Sequence, residues 1–107
     1  MNSIHKQTHK HINGSDTVIV FVHGFTESPN QFLFLNKIAL DNGYSYFNIL
    51  LPGHGKSSKE FYKNGYKEWT SYLDNQLKDM QKIYKNIILV GDSMGCLLCM
   101  NIYLTNK

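Results

Sequence analysis

The sequence predicts an α/β fold, a parallel sheet with helices on both faces, and three observations carry that prediction. Three short apolar runs, TVIVFV at 17–22, SYFNILL at 45–51 and NIILV at 86–90, lack the polar alternation of a half-exposed strand. Each therefore suits a strand covered on both sides. Each run stops at a turn signal, His23-Gly24, Pro52-Gly53 or Gly91. Helical periodicity fills the intervals, and strand–helix alternation of this kind leads to right-handed crossovers between parallel neighbours.

Taken in order, residues 1–16 are polar and without clear period, a tail or one short edge strand ahead of a domain spanning 17–107. Ser28, Pro29 and Gln31 supply an N-cap, a proline at the first helical position and a capping-box glutamine. Phe32, Leu35, Ile38 and Ala39 follow at helical spacing, and Asn42-Gly43 provides the stop. Trp69, Tyr72, Leu73, Leu77, Met80, Ile83 and Tyr84 mark the packing face of a longer helix. Lys67, Glu68, Asn75, Lys78 and Lys82 occupy its polar side. After Gly95, CLLCMNIYL is apolar nearly all round and calls for burial on most sides. Cys96 and Cys99 fall inside this stretch, which suits small core residues better than a redox or metal pair.

Composition narrows the function classes. The 107 residues are 42% hydrophobic, 13% aromatic and 18% charged, enough apolar surface for one modest core and too much for a disordered chain. All eleven basic residues are lysines scattered along the chain, so the net charge of +3 offers no footprint for nucleic acid or an anionic membrane. No run approaches the ~18 apolar residues of a membrane span, and the opening has no apolar signal segment. Two cysteines make no disulfide framework. These features predict a cytoplasmic domain without cofactor or metal. His5, His9 and His11 are expected in a solvated tail, with no carboxylate or cysteine nearby to complete a metal site.

The chemistry concentrates in Gly91-Asp92-Ser93-Met94-Gly95, a G-x-S-x-G between a predicted strand and a predicted helix. A serine in that turn adopts strained backbone angles and projects its hydroxyl above the sheet edge, while the glycines remove side chains that would collide with strand and helix. It also stands at a helix N-terminus, which favours a developing oxyanion. Val22-His23-Gly24-Phe25 follows the first apolar run, where backbone N–H groups can complete an oxyanion hole. The natural donors are the amides of Phe25 and Met94, with His23 read as a hydrogen-bonded scaffold for the loop. Gly53-His54-Gly55-Lys56-Ser57 invites comparison with a phosphate-binding loop, but that motif needs a glycine where Leu50 stands. A tight loop beside the cleft, including His54, fits better.

A strand then H-G-F, a strand then P-G-H-G-x-S and a strand then G-D-S-M-G resemble the α/β-hydrolase superfamily over residues 17–104. The nearest resemblance is to its bacterial carboxylesterase, monoacylglycerol-lipase and lysophospholipase-like branch. The resemblance implies a partial α/β-hydrolase fold, Ser93 as nucleophile, and the Phe25 and Met94 amides as oxyanion hole. It also implies a small ester or acylglycerol-like substrate, and a sheet with the strand before His23-Gly24 at its centre. Family members place an acid and then a histidine after the serine. Only MGCLLCMNIYLTNK follows Ser93, without Asp, Glu or His. Asp92 adjoins the serine and so cannot lie beyond an intervening histidine as triad geometry demands. The expectation is the N-terminal half of a hydrolase, cut after the elbow helix and negligibly active by itself. The alternatives are a non-catalytic module self-associating through open sheet edges and, more remotely, a phosphate-binding module.

Overall fold

The computed structural model describes residues 6–24, 29–52 and 65–105. Its four strands are β1 (Thr8–Lys10), β2 (Thr17–Val22), β3 (Ser45–Ile49) and β4 (Asn86–Gly91), in the order β1-β3-β2-β4. A 3-10 turn (Pro29–Phe32) leads into helix α1 (Leu33–Asp41). Helix α2 (Tyr66–Gln81) precedes β4, and helix α3 (Met94–Thr105) follows it.

The three apolar runs form the parallel part of the sheet. Central β2 pairs with β3 from Val18↔Ser45 to Val22↔Ile49 and with β4 from Thr17↔Asn86 to Val22↔Gly91. The sheet is mixed rather than purely parallel, because β1 runs antiparallel to β3 with Thr8 opposite Asn48 and Lys10 opposite Tyr46. The cause is chain length. A parallel crossover needs roughly a dozen residues or more, whereas only residues 11–16 separate β1 from β2. The polar opening, where described, is thus tied into the sheet.

The pleat of β2 divides the protein into two layers. Val18, Val20 and Val22 are fully buried and pack with Phe47, Ile49, Leu73, Leu77, Leu98 and Ile102 beneath α2 and α3. Phe21 points the other way and meets Phe32 at a ring separation of 5.1 Å. Alternate side chains of one strand reach opposite faces, so helices on both sides bury a wholly apolar segment.

The helices depart from their sequence patterns in specific ways. The first enters through a 3-10 turn and buries Phe32, Asn36 and Ala39, while Leu35 and Ile38 stay partly in solvent. Asn36 is inside because it exchanges amide hydrogen bonds with Asn48 of β3, at 3.0 and 2.6 Å. Helix α2 ends at Gln81, which turns Ile83 outward and Tyr84 inward. Helix α3 does not meet the expectation of burial on most sides. Gly95, Leu98, Cys99 and Ile102 are buried, but Leu97, Met100, Tyr103 and Leu104 are exposed. The physical reason is position: α3 lies along β4, the last strand of the described sheet, and nothing described packs beyond it. Cys96 is likewise exposed, a correction to its reading as core.

Candidate active site

Ser93 is the second residue of the two-residue step, Asp92-Ser93, between the carboxyl end of β4 and the first turn of α3. Its φ of 55° is the one positive φ outside glycine among the described residues, and its side chain is exposed. A left-handed serine costs energy unless its surroundings enforce it, and the neighbouring glycines show how they do. A Cβ on Gly91 would lie 2.6 Å from the Cys96 nitrogen. One on Gly95 would overlap the Val22 carbonyl oxygen and stand 2.7 Å from that of His23. Helix α3 therefore starts in backbone contact with β2, and the chain must reverse within Asp92 and Ser93. The Gly95 and Cys96 amides bond the Asp92 and Ser93 carbonyls at 2.9 and 3.0 Å. The Met94 N–H opens the first helical turn, where the helix dipole favours negative charge.

The loop after β2 meets this turn face to face. The Cβ position of Gly24 is 3.1 Å from the Asp92 carbonyl oxygen and 3.4 Å from Ser93 Cβ. The Asp92 amide also donates to the Val22 carbonyl at 3.2 Å. Gln31 ties the two segments together: its Oε1 accepts the Gly24 N–H at 3.2 Å and its Nε2 donates to Asp92 Oδ2 at 3.0 Å. Sequence reasoning gave Gln31 a local capping role. Its contact with an aspartate 61 positions away is a tertiary fact without a sequence signal.

His23 is fully buried beneath this loop. The Leu51 N–H donates to its Nε2 at 3.0 Å, so Nε2 carries the lone pair and Nδ1 the proton, which points to the Gly24 carbonyl at 3.0 Å. Both ring nitrogens are thus engaged by backbone, linking the loop after β2 to the end of β3. Trp69 Nε1 donates to the Pro52 carbonyl at 2.8 Å and fastens the same loop end to α2.

The described geometry brings together Ser93, Met94, Gly91, Gly95, Gly24 and His23 at the carboxyl end of the sheet. Phe25, His54 and the 53–57 glycine loop lie outside the described residues. The Cys99 thiol is pushed up to about 12, first by burial and then by neighbouring Cys96, so it is no thiolate at neutral pH. Among the described residues no group of three His, Cys, Asp or Glu side chains could hold a metal ion. None of the described helices is long and apolar enough to cross a membrane.

Comparison with known proteins addresses the same region. The model of the alpha/beta hydrolase fold family matches residues 17–107. The chain is 35% identical over 85 residues to a Mycoplasma genitalium protein named "Putative esterase/lipase 3", covering 76% of this chain and 28% of that protein. Among solved structures, it is similar to one from a study of the metagenome-derived lipolytic enzymes LipS and LipT. The TM-score is 0.82 at 25% identity, over 90% of this chain and 38% of that one. It is also similar to MenH from S. aureus, with a TM-score of 0.68 at 28% identity, over 95% of this chain and 37% of that one. The chain thus spans between about a quarter and two fifths of the length of these relatives. A family match that begins at β2 and runs through the Ser93 turn makes this chain a member of the α/β-hydrolase fold family, carrying part of that fold.

Proposed function

We propose that the chain carries the nucleophile half of a carboxylic-ester hydrolase, with Ser93 as the attacking group. The observation that carries this reading is the left-handed Ser93 backbone, held where Gly91 and Gly95 have no room for a side chain. Such a turn has a structural cost and presents one hydroxyl to solvent at the end of the sheet. Ser93 Oγ would attack the ester carbonyl, and the Met94 and Phe25 amides would receive the oxyanion. The names of the relatives, an esterase/lipase and lipolytic enzymes, support an ester substrate.

The same reading assigns this chain the nucleophile and oxyanion groups without their acid–base partners. A serine hydroxyl needs a base to be an effective nucleophile at neutral pH. His23 is held away from that role by the bonding of both ring nitrogens. His9 and His11 stand at the far edge of the sheet, and no histidine or carboxylate follows Ser93. The purified chain is expected to label slowly with a fluorophosphonate probe, to lose that label in Ser93→Ala, and to hydrolyse p-nitrophenyl butyrate negligibly. Labelling that survives Ser93→Ala would remove the nucleophile assignment. Robust Ser93-dependent turnover would overturn the half-site reading and point to His54 as base.

A second reading, self-association, is favoured by one specific observation. Among the described residues strand β4 is an edge, and beside it Met100, Tyr103 and Leu104 of α3 line an open apolar groove of about 670 Å³. Unpaired edge strands and exposed apolar grooves both recruit further chain. Sedimentation velocity showing a monomer at all concentrations would dispose of it.

A further inference from the structure

At the opposite edge of the sheet, three side chains converge in a way that the proposed hydrolase chemistry does not use. His9 and His11 are separated by two positions along the β1 edge, and their rings reach the same phenol. His9 Nε2 lies 2.7 Å and His11 Nδ1 2.8 Å from the Tyr84 hydroxyl oxygen. Tyr84 itself is buried, immobilised between the end of α2 and the start of β4, while both imidazoles are exposed. The His9 ring also rests edge-on against Phe47 at 5.7 Å, which limits its rotamers. The cluster is therefore two solvent-accessible imidazoles over a fixed phenol floor.

We propose that His9 Nε2, His11 Nδ1 and the Tyr84 oxygen form a binding site for a divalent first-row transition metal, with copper(II) held most tightly. Imidazole nitrogens bind such ions at about 2.0–2.1 Å. Donors at that radius around one ion lie roughly 3 Å apart when they subtend a right angle. The observed separations of 2.7 and 2.8 Å between each nitrogen and the oxygen are close to that spacing. The two imidazole centroids stand 6.5 Å apart, so the exposed His11 side chain must swing inward to bring both nitrogens within the roughly 4 Å that a single ion at that radius spans. Imidazole together with an anionic oxygen suits copper, nickel and zinc, and the general affinity order puts copper(II) first.

The proton balance is simple. A hydroxyl between two neutral imidazoles donates its proton to one ring and accepts an N–H from the other. On metal binding, the phenol O–H breaks, its proton passes to solvent and the phenolate oxygen bonds to the ion. The imidazole that had donated moves its proton to its far ring nitrogen, freeing the coordinating lone pair. The proposal does not depend on the hydrolase reading, since the site lies across the sheet from Ser93.

The test is a titration of the whole chain, carrying Cys96→Ser to suppress thiol oxidation, with copper(II) alone near pH 7.5. The expected result is one equivalent bound in the micromolar range or tighter, with a visible phenolate-to-copper charge-transfer band. Tyr84→Phe should abolish the band and weaken binding about tenfold or more. His9→Asn with His11→Asn should weaken it further, and His5→Asn should leave both readouts unchanged. Zinc alone should compete for the site and raise the melting temperature of the parent chain but not of the double histidine variant. Copper binding of equal strength in the double variant, or binding without the charge-transfer band, would overturn the site. If Tyr84→Phe fails to fold, His11→Asn alone carries the same decision.

Discussion

The two edges of the sheet are finished by opposite means. At the β1 edge the strand is three residues long and polar, and hydrogen bonds from both of its flanks fasten it. Gln7 Oε1 accepts the Leu50 N–H at 3.1 Å and the Tyr72 hydroxyl at 3.0 Å, and the Ile12 N–H reaches Ser45 Oγ at 2.9 Å. Thr8 Oγ1 accepts from Asn48 at 3.0 Å, and Tyr84 joins His9 and His11. At the β4 edge the strand is six residues of mostly apolar sequence, and Met100, Tyr103 and Leu104 of adjacent α3 are 54–67% exposed. A short, polar, bonded edge discourages further pairing, whereas a long apolar one invites it. The contrast separates an edge held by hydrogen bonds among the described residues from one that leaves apolar surface open among them.

The largest test of that contrast acts where α3 meets the sheet. Gly95→Ala places a methyl group against the Val22 carbonyl, backbone that has nowhere to move. Urea unfolding should show a loss of about 3 kcal/mol or more, with protection from hydrogen exchange lost at β4 before β1. Simultaneous loss at both edges would show that the two are not independently built.

On the other side, Asn48→Ala should cost about 2 kcal/mol, since it strands the buried Asn36 amide without its partner. The double change with Asn36→Ala should cost less than the sum of the singles, because neither amide is then left unpaired. Additive losses would mean that the pair does not act as a unit.

The apolar edge predicts a change in association with little change in stability. Met100→Lys with Leu104→Lys adds two charges at exposed positions lining the groove beside β4. Unfolding free energy should move by no more than about 0.5 kcal/mol, while sedimentation should show self-association weakened or gone. Association of unchanged strength would locate it elsewhere.

These two edges also divide what is legible in the sequence. Strands β2, β3 and β4 are readable because each is a short, mostly apolar run ending at a glycine or proline signal, although only β2 and β3 are buried as such runs suggest, and β4 leaves Ile88 45% exposed. The Ser93 turn is readable because its steric demands fall on neighbouring residues, Gly91 and Gly95. The β1 edge is hidden because its stabilising bonds are long-range: Tyr84 meets histidines 73 and 75 positions earlier. Polar side chains in a short opening carry no periodicity to announce such partners. Gln31 is hidden for the same reason. Helix α3 reads as needing cover on most sides, and that demand is visible in the sequence, but the cover is not among the described residues. The antiparallel entry of β1 follows from a count of connecting residues once its pairing with β3 is known.

The smallest expected effect is the pH response of the polar edge. The His9 pKa is lowered from an ordinary value of 6.5, first by burial and second by the charge of His11. A depressed histidine binds its proton less readily in the folded chain than in the unfolded one. Its contribution to stability is therefore present above pH 6.5 and is lost as the pH falls through the lower folded value. Protonation of both rings would also leave two imidazolium N–H groups aimed at one phenol oxygen, with the Tyr84 proton needing another acceptor. Because His9 is largely exposed, solvent screens much of this, and global unfolding should register only a shallow decline. The sharper readout is local: the Ile12 amide, held by Ser45 beside the cluster, should exchange faster after the intrinsic pH dependence is removed. His9→Asn should flatten that response, while the β4 amides, across the sheet from β1, should show none. An equal acid response at β4 and β1 would mean that the polar edge is not separately held, and the distinction between the two edges would fail at its weakest point.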